Sequence, residues 1–265
     1  MRFCSIASGS SGNCIYVGNE RTHLLVDAGI SGKKIEEGLN KLDLAPYELD
    51  GILITHEHSD HIGGLGVLAR RYGIPIFATE GTIKGICENT SVGEIDSSLF
   101  NVVEADSSFY LKDIKVNPMI ISHDSYEPCA YRFFYGNKGI GVVTDLGTYN
   151  KYTVESLKNL DILFLEANHD VNMLQVGHYP YYLKQRILGN KGHLSNENCG
   201  RLLSELLHDN VKYIQLGHLS KDNNLPDLAY ETVKLEVTMS ANPYNGNDFP
   251  IYIAKRNELS ESLCC

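Results

Sequence analysis

Three histidines and two carboxylates occupy six residues of the segment Gly51-Ile-Leu-Ile-Thr-His56-Glu57-His58-Ser59-Asp60-His61-Ile-Gly-Gly64. Imidazole and carboxylate without thiolate form a ligand set for a divalent cation such as zinc, manganese or iron(II). The apolar run before His56 reads as a buried strand, and residues that alternate as they leave a strand, His56 and His58, can turn two imidazoles toward one cation. Asp60 and His61, at the start of the next helix, can serve a second cation a few ångströms away. A solvated polar turn has no use for three imidazoles.

This cluster supplies too few ligands for two metals, so others should follow strand ends elsewhere. His123 follows Ile121-Ser122, Asp145 follows Gly141-Val-Val-Thr, and His218 follows Tyr213-Ile-Gln-Leu-Gly, each a polar group closing an apolar run. Two cations held close together lower the pKa of a water between them, direct the hydroxide at an electrophile and stabilise the charge that develops. The chemistry expected is hydrolysis, with phosphorus or carbonyl carbon as the centre attacked.

Such ligands need rigid elements to position them, and the composition can provide these. The 265 residues are 43% hydrophobic and 21% charged, with 24 Gly and only 8 Pro, which excludes disorder and fibrous repeats. A net charge of −10 and a pI near 5.4 exclude a globally basic, nucleic-acid-binding surface. Any polyanion must be held by a local basic patch or by metal cations. No apolar run approaches the roughly 18 residues of a membrane span, and Met1 to Ile6 leads into Ser, Gly and Asn rather than a signal-peptide core, so a cytoplasmic protein is expected. The seven cysteines lack CxxC spacing and do not cluster with His, as expected of reduced and mostly buried thiols.

Short apolar runs at Cys14–Val17, His23–Asp27, Gly51–Thr55, Pro75–Ala78, Ile114–Ser122, Tyr131–Tyr135, Gly141–Asp145, Ile162–Glu166, Tyr213–Leu216 and Ile251–Ala254 predict strands. Several are apolar on both faces, which calls for sheets covered by helices on one side and by a second sheet on the other. Helices are expected near Gly32–Leu42, Gly63–Tyr72, Val154–Lys158, Tyr181–Leu188, Asn196–His208 and Asp227–Val237, the last opened by Pro226. No linker interrupts the chain, so residues 1–265 read as one domain of two sheet-and-helix halves meeting near Gly139. Asn89–Asp113, rich in Ser, Asp and Glu, reads as a surface excursion. No alternation of aromatic and basic residues typical of a single-strand channel stands out.

Together, HEHSDH, His123, Asp145 and His218 resemble motifs two to five of the metallo-β-lactamase superfamily, and Asp27 in Leu24-Leu-Val-Asp27-Ala-Gly29 resembles the first. The likeness runs from about Phe3 to Leu219. Ser8-Gly-Ser-Ser-Gly-Asn13, Glu166-Ala-Asn-His169-Asp170, Gly192-His-Leu-Ser-Asn196 and His218-Leu-Ser-Lys-Asp-Asn-Asn224 are similar to segments of its YycJ/WalJ-type nucleases. The resemblance implies an α/β fold, an αββα sandwich with two sheets face to face and helices outside. It also implies two divalent ions, zinc or manganese with iron compatible. His56, His58 and His123 would hold the first, Asp60, His61 and His218 the second, and Asp145 would bridge; Asp60 is also carried over as a catalytic carboxylate. Asp27 either steadies a ligand loop or imidazole or caps the Ala28-Gly29 turn.

Glu166 and His193 resemble a Glu–His pair beside the metals in the transfer-RNA 3′-processing branch. An imidazolium there could protonate the departing sugar oxygen, with the carboxylate raising its pKa. The plainer reading is a strand-end Glu166 and a helix start at His193 capped by Ser195 or Asn196. The loop holding Ser11 and Asn13 could offer backbone N–H groups to phosphate or form a simple hairpin turn. His169 and Ser220 are further candidate substrate contacts. Arg70, Arg71, Lys84, Lys191 and Lys221 form either a basic rim or scattered solvated charges. The chain lacks the long insertion of the β-CASP ribonucleases, the helical tail of glyoxalase II types and a clear transfer-RNA arm. A compact DNA exonuclease, 5′ to 3′ by resemblance, is therefore the first expectation. A hydrolase of small cyclic phosphodiesters, an RNA-processing nuclease and a non-catalytic metal-binding regulator are the alternatives.

Overall fold

In the computed structural model, which describes residues 1–265, every residue of the strands Cys14–Gly18 and Gly51–Leu53 is buried. A strand buried on both faces needs cover on each. The first of two compact units, residues 1–120, 125–137 and 255–264, supplies it. Its larger sheet contains β1 (Arg2–Ala7), β2 (Cys14–Gly18), β3 (His23–Val26), β4 (Gly51–Leu53), β5 (Ile76–Ala78) and β6 (Phe100–Val102), with β14 (Leu263–Cys264) beside β1. Neighbours from β14 to β3 run antiparallel, and those from β3 to β6 run parallel. A parallel step needs a crossover, which α1 (Gly32–Asn40), α2 (Ser59–Ile62), α3 (Leu65–Tyr72) and α4 (Glu80–Glu88) provide.

Ile35, Leu39, Leu65 and Leu68 of these helices join Leu25, Ile52 and Ile76 of the strands in one buried cluster. Truncating one such leucine to alanine typically costs about 2–5 kcal/mol. An antiparallel meander of β7 (Phe109–Leu111), β8 (Ile114–Ile120) and β9 (Cys129–Tyr135) belongs to the same unit. Phe109 on β7 stacks on Phe77 of β5 with ring centroids 5.7 Å apart. Tyr131 on β9 donates to the Ile54 carbonyl at 2.9 Å. Asn89–Asp113 is therefore more ordered than its composition suggests, because β6 pairs with β5 and β7 with β8. The polar sequence suits these short edge strands, one face of which remains wet. The helix α4 is likewise poorly announced by sequence, with two glycines in nine residues. It depends on Thr79, whose hydroxyl accepts from the Thr82 N–H.

The second unit comprises residues 121–124, 138–254 and Cys265. Its strands β10 (Lys138–Val143), β11 (Ile162–Glu166), β12 (Tyr213–Gly217) and β13 (Ile251–Ile253) pair in that order, all parallel. Val143, Leu165 and Leu216 lie side by side in register, so the residues just beyond them share one edge of the sheet. Ligands gather beyond the carboxyl ends of parallel strands. The helices α5 (Lys151–Leu157), α6 (Val171–Val176), α7 (Tyr181–Leu188), α8 (Asn196–Leu206) and α9 (Pro226–Met239) fill the crossovers. Side chains of Asn150, Asp170 and Ser195 cap α5, α6 and α8, and Pro226 opens α9.

All seven cysteines are free; Cys4, Cys14, Cys129 and Cys199 are buried. Burial pushes the Cys129 thiol up to about 12, so it is protonated and inert at neutral pH. Cys87 and Cys264 are exposed, whereas Cys265 is half-buried. No helix is long and apolar enough to cross a membrane.

Candidate metal centre

In the first unit the site grows from two parallel strands. Val26 and Leu53 are register partners, so Asp27, one residue past β3, lies beside the turn that carries Thr55 and His56. Asp27 Oδ2 accepts from His61 Nδ1 at 2.7 Å, Oδ1 accepts from the Thr55 N–H at 2.8 Å, and the Thr55 hydroxyl approaches Oδ2 to 2.9 Å. Both Asp27 and His61 are buried. Burial raises the Asp27 pKa, while His61 and Thr55 pull it back toward the charged form. Holding its Nδ1 proton toward Asp27, His61 presents Nε2 to Asn13 Nδ2 at 3.2 Å and Asp60 Oδ2 at 3.6 Å.

His56 Nε2 is 3.1 Å from His58 Nδ1, and the His56 and His61 ring centroids are 4.1 Å apart. Converging imidazole nitrogens fit a cation. Glu57 turns aside, accepting from the Tyr126 N–H at 2.9 Å.

The loop after β3 is laced to this turn. Ala28 N donates to His61 O, Gly64 N to Ala28 O and Asn13 N to Asp60 O, at 2.7–2.8 Å. At Gly29 a Cβ would fall 1.7 Å from the Asp60 carbonyl oxygen, so only glycine permits this approach. Asn13 is fully buried, and its Oδ1 accepts from Gly9 N at 3.0 Å, whereas Ser11 is exposed at the loop tip.

In the second unit the candidate ligands come from separate strands. Asp145 lies two residues past Val143, Glu166 ends β11, and His218 follows β12. One ligand atom from each of Asp145, Glu166, His193 and His218 falls within 4.8 Å of the others. His193 Nδ1 donates to Glu166 Oε1 at 2.7 Å. The other oxygen of Glu166 accepts from Leu146 N at 2.7 Å and Leu194 N at 3.2 Å. His218 Nδ1 is 3.1 Å from Asp145 Oδ2. His123 Nδ1 donates to the Gly192 carbonyl at 3.0 Å, and its Nε2 faces Asp124 Oδ1 at 3.5 Å and Asp145 Oδ1 at 3.7 Å. An imidazole nitrogen facing carboxylates at that separation suits a shared cation.

Three of the seven non-glycine residues with positive φ lie in the two clusters. Asp27 (φ 62°), Asp145 (φ 56°) and His218 (φ 55°) are left-handed, a conformation that costs a residue with a Cβ on the order of 1 kcal/mol. Strain concentrates where geometry serves function.

An asparagine network supports the second cluster, and sequence reasoning supplied its residues without their roles. Asn168 Nδ2 donates to the His218 carbonyl at 2.9 Å. Asn224 Nδ2 donates to the carbonyls of Ala167 and Asn168 at 3.0 Å each, and its amide meets that of Asn196 at 2.9 Å. Ser220 Oγ accepts from Asn223 N at 3.2 Å. His169 is 1% exposed with Nδ1 3.3 Å from Asn168 Oδ1. Burial, reinforced by the nearby His193, lowers its pKa to about 4.

The basic residues divide. Arg70 donates to the carbonyls of Val92 and Glu94, and Arg71 pairs with Glu36, so both serve the local fold. Lys191 is exposed. Tyr179, Tyr181 and Tyr182 precede Lys184 and Arg186 on one segment around α7, without alternating.

A strained, imidazole- and carboxylate-rich edge on an α/β scaffold defines a metallohydrolase-like class. Residues 22–213 match the β-lactamase superfamily domain, and the chain belongs to the metallo-β-lactamase superfamily, with its αββα fold. It is 42% identical over 251 residues to the exodeoxyribonuclease WalJ of Streptococcus pneumoniae, covering 95% of this chain and 93% of that protein. It is 40% identical over 233 residues to the exodeoxyribonuclease YycJ of Bacillus anthracis, covering 88% of each. Among solved structures, the metallo-β-lactamase fold protein YhfI from Bacillus subtilis matches with a TM-score of 0.70 at 18% identity over 98% of both chains. Zn(2+)-bound PqqB from Methylobacterium extorquens matches with a TM-score of 0.71 at 14% identity, over 98% of this chain and all of the other. At these identities the likeness is one of fold.

Proposed function

We propose that the protein is a metal-dependent phosphodiesterase acting as a DNA exonuclease, working 5′ to 3′ in the cytoplasm as one domain. The near full-length identity to two exodeoxyribonucleases supports the substrate class. The observation that carries the chemistry is the His193–Glu166 pair, 2.7 Å apart and beside Asp145.

The donor set fits two divalent ions, zinc or manganese with iron compatible. His56, His58 and His123 are assigned to the first, Asp60, His61 and His218 to the second, and Asp145 to both, with Asp60 also acting as a catalytic carboxylate. Bound there, such ions activate water and offset the charge that builds at phosphorus. The remaining steps belong to the chain. Asp27 fixes the His61 tautomer and ring orientation. Glu166 orients His193, which hands a proton to the departing sugar oxygen. Ser11 and Ser220 contact the substrate, with Asn13 and His169 behind them. The −10 net charge makes DNA association weak and salt-sensitive, because few cations offset the repulsion.

The test is metal-supplemented digestion of a 5′-phosphorylated duplex beside a chromogenic phosphodiester and a small cyclic phosphodiester. Stepwise loss of nucleotides from the duplex is expected. Intact DNA at every salt and metal condition, with rapid cleavage of the cyclic compound, would replace the nuclease with a small-phosphodiester hydrolase. Hydrolysis of none of the three would point to a regulator.

A further inference from the structure

The segment 171–192, which joins the Glu166 strand to His193, differs from the rest of the second unit. It carries Lys184, Arg186 and Lys191, and no Asp or Glu occurs between Asp170 and Glu197, in a chain of net charge −10. It also turns apolar groups outward. Val176 is 86% exposed, Tyr181 77% and Tyr182 74%, although aromatic rings ordinarily gain by burial. Leu174 and Ile187 are the buried residues of α6 and α7.

This arm is fastened to the catalytic cluster. At its start, Asp170 caps α6 through the Met173 N–H at 2.7 Å. Midway, Lys184 Nζ donates to the carbonyls of Gln175 at 2.8 Å and Gly177 at 2.6 Å, which locks the turn before α7. Arg186 pairs with Asp124, the neighbour of His123. At its end, His193 N donates to Ile187 O at 3.0 Å, and Gly192 O accepts from His123. A Cβ on Gly147, two residues past Asp145, would fall 2.4 Å from Asn190 O. The exposed rings thus stand on a helix whose last turn is bonded directly to the proposed acid.

We propose that α7 is a nucleobase platform. Tyr181 and Tyr182 stack the bases of the strand being digested, and Lys191 meets its phosphate backbone. This deepens the nuclease reading and rests on it. Exposed Lys191, on an arm that carries no carboxylate of its own, suits a polyanion, and flat exposed rings select its bases, because aromatic stacking accepts any base sequence. His193 is bonded to the last turn of α7 through the Ile187 carbonyl, so a base seated on α7 guides its strand toward His193.

Steady-state digestion of DNA by the metal-loaded full chain tests this, comparing wild type with Tyr181→Ala, Tyr182→Ala, the double variant and a double Tyr→Trp variant. Each alanine should raise KM for DNA by about 5- to 150-fold, the range that stacking one base supplies. The rate at saturation and the hydrolysis of a chromogenic phosphodiester should hold, and tryptophan should restore KM. A phosphorothioate-protected duplex with 2-aminopurine at its end should lose fluorescence on wild type and retain it on the double alanine variant. Unchanged KM in the double alanine variant overturns the platform and leaves the nuclease reading standing. So does a change from dimer to monomer, by sedimentation, with DNA kinetics intact, since the rings then serve a second copy. Wild type that leaves DNA whole overturns the nuclease reading itself.

Discussion

The turn from His56 to His61 and the edge formed by Asp145, Glu166, His193 and His218 hold the same kinds of ligand by opposite means. The first is contiguous, and its geometry follows from one strand end and one short helix. Its supports are the Asp27 carboxylate, backbone bonds from Asn13 and Ala28 to the turn, and the close approach that Gly29 allows. The second is gathered from three parallel strands and a helix entrance. It depends on strand register, on left-handed residues at Asp145 and His218, and on asparagine side chains that tie the loops together. A contiguous cluster should fail locally when damaged, whereas a gathered one should fail across several ligands at once.

Metal content offers the strongest way to break this contrast. Asp145→Ala should empty the protein of divalent ions and reduce activity to background, while His58→Ala should lower the metal content without abolishing it. Elemental analysis decides; wild-type metal content in Asp145→Ala would remove the bridging role. Next in size is the leaving group. His193→Gln should slow DNA turnover by roughly 10²–10⁴-fold, the scale of a general acid, and Glu166→Gln should do so more mildly. A p-nitrophenyl phosphodiester needs little protonation, so both variants should keep most of their activity on it. Equal losses on the two substrates, or lost metal, would make His193 a ligand.

Two smaller effects sharpen the comparison. Asp27→Asn should weaken metal affinity about 10–100-fold by loosening His61, with the second cluster's ligands in place; a metal titration showing no change would deny Asp27 that part. Asn224→Ala leaves the Ala167 and Asn168 carbonyls and the Asn196 amide short of a partner, which should cost about 1–3 kcal/mol. Denaturant unfolding measures it. A neutral result would mean that the asparagine network is not what holds the His218 loop.

The contiguous cluster was fully legible because two-residue spacing at a strand end is a local property. Asp145 and His218 could be picked out as strand-end polar groups, and α7 from its periodicity. The order in β6 and β7 was hidden because polar edge strands are made by their neighbours. The exposure of Tyr181 and Tyr182 was hidden for a related reason: a helix pattern shows which residues share a face, but not which faces are covered.

By itself, then, the sequence determined the ligand types, the HEHSDH turn, the strand-rich α/β character and the family resemblance, all carried by composition and short-range spacing. Tertiary structure alone decided that Val143, Leu165 and Leu216 stand in register, that Asp27 meets His61, and that Asn168 and Asn224 brace the His218 loop. Those pairings join residues tens of positions apart, and their partners are selected by hydrogen-bond register and packing across the whole unit, which no local pattern encodes.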